Sequence, residues 1–281
     1  VKENQLGHGP CYLKTAGITS EQDQDLLKAY LNMAPSQTLK WIESGKMPSE
    51  EDVEIQGTEP YIVGGHTASG FWVDTRRETT IRGLYAAGDV AGGCPQKYVT
   101  GALAEGKIAS LAIIEQLKVN HNEETSEVEK QAQTIVADYE KIRSAQNGLF
   151  TIDELEEAMQ KVMDEYAGGI ASNYQFNEKQ LNLAEEKITR LSKLADQVGA
   201  EDMHELLFAY ELKERLLVCQ VLIEHLKNRK ETRWHSFNEN LDHPETDQKF
   251  EKYVNSRMED GKIRILFRDL VKGDTYEHTN S

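Results

Sequence analysis

Cysteine is scarce in this chain: Cys11, Cys94 and Cys219 are the only three, far apart and odd in number. That argues against a disulfide framework and against a clustered-thiolate metal site, and it suits a reducing cytoplasm. Each reads as a small buried hydrophobe, and only Cys94 falls inside a candidate site. Positive charge is also short. Lys and Arg number 32 against 48 Asp and Glu, which leaves a net charge of -16 over 281 residues. A nucleic-acid binder needs a basic face to neutralise phosphates, and docking on an anionic membrane needs the same, so both are disfavoured. No apolar run approaches the ~20 residues of a membrane span. The opening Val1-Lys2-Glu3-Asn4-Gln5 is too polar to begin a signal peptide.

What is present suits a folded chain with a real core: 38% hydrophobic and 28% charged residues. Three textures follow one another. Residues 1–56 mix loops with a helical stretch from Glu21 to about Ser44, whose Leu26, Leu27, Tyr30, Leu31 and Met33 share a face. Ser20 is its expected N-cap, with Asp23 three residues on. Residues 57–119 hold much of the glycine. There Tyr61-Ile62-Val63 reads as a short strand, Phe71–Asp74 and Thr79–Ile81 as a small hairpin, and Leu84–Ala87 as a buried strand ending at Gly88-Asp89. Gly101–Leu117 reads as a helix with Ala102, Ala104, Ile108, Ala109, Ala112 and Ile113 inward. After a polar linker at Asn120–Thr125, residues 126–281 are mostly helical. Apolar positions recur there at spacings of three and four, as in Leu155, Met159 and Val162 or Ile188, Leu191 and Leu194. Ile263–Phe267 is an expected terminal strand.

The sharpest chemical signal is Leu84-Tyr85-Ala86-Ala87-Gly88-Asp89, followed a dozen residues later by Thr100-Gly101-Ala102-Leu103-Ala104 at a helix start. Small residues at Gly88 let the backbone approach a ribityl-phosphate chain, and the Asp89 carboxylate can accept hydrogen bonds from its hydroxyls. The free N–H groups and positive dipole end of a helix beginning near Thr100 and Gly101 suit the negative charge that a reduced flavin carries at its N1/O2 edge. Either half alone is common; the pair at this spacing points to a flavin.

These residues resemble the second flavin-contacting segment of the fumarate reductase/succinate dehydrogenase flavoprotein family. Thr58-Glu59-Pro60-Tyr61-Ile62-Val63-Gly64-Gly65-His66 and Ser69-Gly70-Phe71-Trp72-Val73 bring the chain closest to the adenylylsulfate reductase branch of that family. Gly9-Pro10-Cys11-Tyr12-Leu13 and Glu54-Ile55 echo it as well. Arg233-Trp234-His235 with Asp242-His243-Pro244-Glu245-Thr246-Asp247 resembles the Arg-x-x-His…Asp-x-Pro-x-x-Asp pattern of its helical domain, with altered spacing. The resemblance implies an α+β, mostly α fold: 1–56 a remnant of a capping or substrate domain, 57–119 the C-terminal segment of a Rossmann-like FAD-binding domain, and 126–281 a helical-bundle domain. It implies FAD held by Gly88, Asp89, Thr100, Gly101, Leu103 and Ala104, and reduction of adenylylsulfate to AMP and sulfite. It also implies an iron–sulfur beta subunit as partner, since this chain has no cysteine set for clusters.

Two departures bear on that expectation. The family's first fingerprint, G-x-G-x-x-G after a strand, is absent, so the chain reads as one piece of a longer subunit, inactive and nearly free of FAD by itself. Dicarboxylate-converting members carry a carboxylate-clamping arginine two residues before the glycine matching Gly101; Val99 stands there, which disfavours fumarate and succinate. His66 takes the implied role of positioning the sulfate group, against a loop histidine bonded to a carbonyl. Arg233 either closes the pocket or pairs with Asp242 or Asp247. Lys97 either meets a phosphate or is solvated. Two alternatives stay open: a related flavoprotein acting on another small acid, and a non-catalytic helical interaction module.

Overall fold

The computed structural model describes residues 2–33, 35–55, 70–93, 99–119, 125–145, 149–233 and 238–270. Two compact units form, Val1–Pro60 and Tyr61–Ser281. The first contains α1 (Lys2–Gln5), β1 (Cys11–Leu13), α2 (Ser20–Met33), α3 (Pro35–Ser44) and β2 (Val53–Ile55), with β1 and β2 antiparallel and Tyr12 opposite Glu54. The single helix expected from Glu21 to Ser44 is thus two, the second opened by Pro35, which has no N–H to continue a preceding ladder. The N-terminal cap also moves. The Thr19 amide donates to Gln22 Oε1 at 2.9 Å and the Gln22 amide to Thr19 Oγ1 at 3.3 Å, so the reciprocal box sits on Thr19, one residue before Ser20. Asp23 is instead buried, accepting from the Ser49 amide at 2.7 Å and its hydroxyl at 2.6 Å. Trp41 is buried edge-on against Tyr30, ring centroids 5.3 Å apart.

In the second unit, residues 70–93 are tied by single bridges rather than strands: Val73 with Thr79, Glu78 with Tyr85, and Phe71 with Ala91. The expected small hairpin survives as the first of these. The expected buried strand Leu84–Ala87 does not form. Ala86 is buried but Leu84 is 48% exposed, and among the described residues only Glu78 pairs with Tyr85. A strand covered on both faces needs neighbours along both edges. Helix α4 (Val99–Leu117) forms as expected, with a different inward face: Glu105, Ala109 and Ala112 are buried, while Ala102, Ala104, Ile108 and Ile113 are exposed.

Next come α5 (Thr125–Ser144), α6 (Ile152–Tyr166), β3 (Gln175–Phe176), α7 (Glu178–Ala195), α8 (Met203–Asn228), β4 (Glu239–Asn240), β5 (Lys252–Glu259) and β6 (Lys262–Asp269). The apolar stripes of α6, α7 and α8 meet in one core that includes Leu155, Met159, Leu181, Ile188, Leu212 and Leu216, with Ile142 of α5 joining it. Their starts are capped. Thr151 and Glu154 bond reciprocally, and Asp202 accepts from the His204 and Glu205 amides at 2.8 and 2.9 Å. Strands β3 and β4 pair in parallel. The terminal strand expected at Ile263–Phe267 is β6, and it has an antiparallel partner, β5, with Val254 opposite Phe267. The two are joined at Asp260 (φ 49°) and Gly261 (φ 71°), the residue pair that a two-residue hairpin turn favours.

One tie between this hairpin and α8 responds to pH. His225 Nε2 lies 2.9 Å from Ser256 Oγ, and burial, with the nearby Arg229 charge, holds the imidazole pKa below its ordinary 6.5. The unfolded chain therefore binds a proton before the folded one, and stability is lost as pH falls from about 6.5 towards the depressed value. The expected result is a larger loss of urea resistance between about pH 7.5 and 5.5 in the native chain than in His225→Gln. Equal losses in the two proteins would assign the effect elsewhere.

Candidate functional site

Residues 88–90 make a single helical turn after Ala87, entered by Gly88 at φ +74°. Only glycine adopts that conformation without cost, and the position is also crowded: a Cβ on Gly88 would lie 3.3 Å from the Ala102 Cβ and 3.7 Å from its Cα. The turn is therefore seated on the first turn of α4. The leading amides of α4, from Val99 to Ala102, have no acceptor within the helix, and the positive end of its dipole lies there. Around this junction Asp89, Thr100, Leu103 and Ala104 are exposed, and Gly101 is half-buried. The structure thus brings six sequence-predicted residues, Gly88, Asp89, Thr100, Gly101, Leu103 and Ala104, to one place. His66, Cys94 and Lys97 lie outside the described residues.

Arg233 belongs to a separate cluster built on Glu231, whose side chain is wholly buried. Glu231 accepts from Arg233 Nε at 2.8 Å and Nη2 at 2.9 Å, from Arg229 Nε at 2.8 Å and from the Asp247 amide at 2.9 Å. Arg233 also donates to the Asp247 carbonyl at 3.2 Å. Its ion-pair partner is therefore Glu231, and Asp247 contributes backbone. Burial alone would raise the Glu231 pKa, but the donors from Arg233, Asp247 and Arg229 outweigh it and hold the carboxyl below the ordinary range.

A second buried charge was missed in the sequence. Glu105, one turn beyond Gly101, pairs with Arg77 Nη2 at 2.9 Å, its side chain only 6% exposed. Arg77 has φ 69°, and its carbonyl accepts from the Ala86 amide at 3.0 Å. Arg77 Nε and Glu105 Oε2 are buried without a hydrogen-bond partner among the described residues. The signal was available: 105, 109 and 112 are spaced four and three apart, which puts Glu105 on the alanine face. Elsewhere, a cleft of about 560 Å³ lined by Arg76, Thr79, Arg82, Tyr85 and Gln116, among others, contains none of the predicted site residues. Among the described residues, no helix is long and apolar enough to cross a membrane.

No protein-family model matches the chain. Among curated proteins, it is 27% identical to the adenylylsulfate reductase subunit alpha of Megalodesulfovibrio gigas, over 93% of this chain and 46% of that one. It is 31% identical to an uncharacterized FAD-dependent oxidoreductase of Methanocaldococcus jannaschii, over 68% of this chain and 35% of that one. The chain therefore spans less than half the length of these relatives. Among solved structures, adenylylsulfate reductase from Archaeoglobus fulgidus superposes over 98% of this chain and 50% of its own, with a TM-score of 0.73 and 29% identity. A quinol fumarate reductase of E. coli shares the fold, with a TM-score of 0.68 at 21% identity over 97% of this chain and 47% of its own. The chain is thus homologous to the adenylylsulfate reductase alpha subunit, matching a C-terminal portion of that longer protein, and shares its fold with the fumarate reductase flavoprotein.

Proposed function

We propose that the chain is the C-terminal part of an FAD-dependent oxidoreductase subunit that reduces adenylylsulfate to AMP and sulfite. The observation that carries this reading is the seating of the Gly88 turn on the start of α4. It sets the turn that carries the Asp89 carboxylate beside leading amides of α4 that have no acceptor within the helix, on a helix start of small residues. That donor and acceptor set fits FAD. In this reading the amides of Thr100 and Gly101 face the negative edge of the isoalloxazine, Asp89 accepts from ribityl hydroxyls, and Leu103 and Ala104 supply apolar contact. FAD when bound supplies the electrons for the reduction. Residues 57–119 would be the C-terminal segment of the FAD-binding domain, 1–56 part of a capping domain, and 126–281 the helical domain.

Substrate choice rests on this chain's own side chains. Val99, the first residue of α4, is 75% exposed and apolar where a dicarboxylate enzyme needs a cation, which favours adenylylsulfate over fumarate. His66 would position the sulfate group, and Arg233, oriented by Glu231, would close the pocket. Electrons would arrive from an iron–sulfur beta subunit, in the cytoplasm. The test is to express the longer subunit with that partner and measure AMP release. The expected result is release that depends on adenylylsulfate, with no turnover of fumarate. Fumarate reduction without adenylylsulfate activity overturns the assignment, whereas the present chain alone should retain little FAD.

A further inference from the structure

We propose that Arg268 is a positioning residue for the Gly88–Val90 turn, acting through Trp72 from the terminal hairpin. The guanidinium carbon lies 3.7 Å from the centre of the Trp72 ring and 5.1 Å from that of Tyr253. Tyr253 is the cross-strand neighbour of Arg268, and Asn255, two residues along the same face, accepts from Arg268 Nε at 2.8 Å. The hairpin thus fixes the guanidinium plane, and Trp72 stacks on it. A planar cation on an indole face is among the stronger contacts of this class.

Trp72 is joined to the turn through the backbone of its neighbour Phe71. The Phe71 amide donates to the Val90 carbonyl at 2.7 Å, and the Gly92 amide to the Phe71 carbonyl at 2.8 Å. Gly70 lies so close that a Cβ there would meet the Ala91 carbonyl carbon and the Gly92 nitrogen at 2.6 Å, and Ala91 is fully buried. Residues 70–72 are therefore laid against 90–92, directly after the turn that rests on Ala102. The hairpin in turn is tied to α8 through Ser256 and His225. A continuous path runs from α8 through β5 and β6, Arg268, Trp72 and Phe71 to the turn and the start of α4. Residues 70–93 have no regular strand pairing among the described residues, and the clasp adds to the bridges and to the ion pairs with α4 a restraint from the hairpin side.

This inference rests on the proposed flavin site only for its last step, and its test has an arm on each side of that step. In the present chain, Arg268→Ala should raise amide exchange at Phe71 and Gly92 by about tenfold while leaving the α6–α8 core unchanged. Arg268→Lys keeps the charge without the plane and should recover little of the protection. Trp72→Leu should reproduce the effect, and the double variant should add almost nothing to it. In the FAD-loaded longer subunit, Arg268→Ala should speed flavin release by about tenfold. Unchanged exchange at Phe71 and Gly92 overturns the proposal, as does a rise shared equally by the core or an unchanged flavin release. A longer subunit that binds no flavin sinks the cofactor reading instead, and the exchange arm then decides the clasp.

Discussion

Replacing Glu231 with alanine should lower the unfolding free energy by about 3 kcal/mol, the lower end of what removing one member of a buried ion pair costs. The carboxylate is wholly enclosed and satisfies two guanidinium groups and one amide at once. Its loss removes the carboxylate that the Arg229 and Arg233 guanidinium groups both bond. Both arginines still reach water, at 33% and 25% side-chain exposure, which keeps the cost at that lower end. Glu231→Gln, which keeps the shape and one acceptor, should lose less. The pH response gives an independent check. Because the folded pKa of Glu231 is depressed, its stabilisation is present above the ordinary value of 4.5 and is lost as pH falls through the folded value. Below about pH 4.5 the stability of Glu231→Gln should therefore fall less steeply than that of the native chain. A Glu231→Ala variant within about 0.5 kcal/mol of native in urea unfolding would mean that the two arginines are held by other means.

How much of this was legible in the sequence depends on whether the signal was local. The helices from α6 to α8 were readable because each carries its own apolar period and an N-cap, Thr151, Asn177 and Asp202 in turn. The pairing of a Gly-Asp turn with a small-residue helix start was readable too, since both halves are short motifs; what the sequence could not state is that Gly88 lies on Ala102. The strand expected at Leu84–Ala87 failed because an apolar run implies burial but does not supply partners, and among the described residues its pairing is a single bridge, Tyr85 with Glu78. β5 was overlooked because Lys252-Tyr253-Val254-Asn255-Ser256-Arg257 has no clean polar and apolar alternation, both of its faces being half-buried; the Asp260-Gly261 turn was the clue. The Glu231 cluster could be read only in part. Arg233 was expected beside Asp242 or Asp247 and does bond the Asp247 carbonyl, but no periodicity encodes the meeting of Arg229 and Arg233 on Glu231.

Glu105 offers the sharper test of how the α4 start is held. Glu105→Ala should destabilise the chain by on the order of 3 kcal/mol, because it leaves the Arg77 guanidinium, 22% exposed, with no anion beside it and opens space under the first turns of the helix. The neighbouring pair on the same helix sets the scale. Arg76 and Glu115 are 3.0 Å apart but half-exposed, and Glu115→Ala should cost less than about 1 kcal/mol. The comparison uses the same helix, the same substitution and the same kind of partner, and burial is the main difference between the two sites. A double variant, Arg77→Ala with Glu105→Ala, removes both charges and should be less damaging than the two single losses added together. Strict additivity would mean that the pair does not interact, and a Glu105→Ala cost no larger than that of Glu115→Ala would mean that α4 is held by contacts other than this ion pair. If the ion pair does hold α4, amide exchange in its first turn should rise in Glu105→Ala before that of the α6–α8 core does, because neither Arg77 nor Glu105 belongs to that core. The same loosening would reach Gly88 through Ala102, which makes Glu105 a support of the proposed cofactor surface even though it lies beneath that surface and not on it.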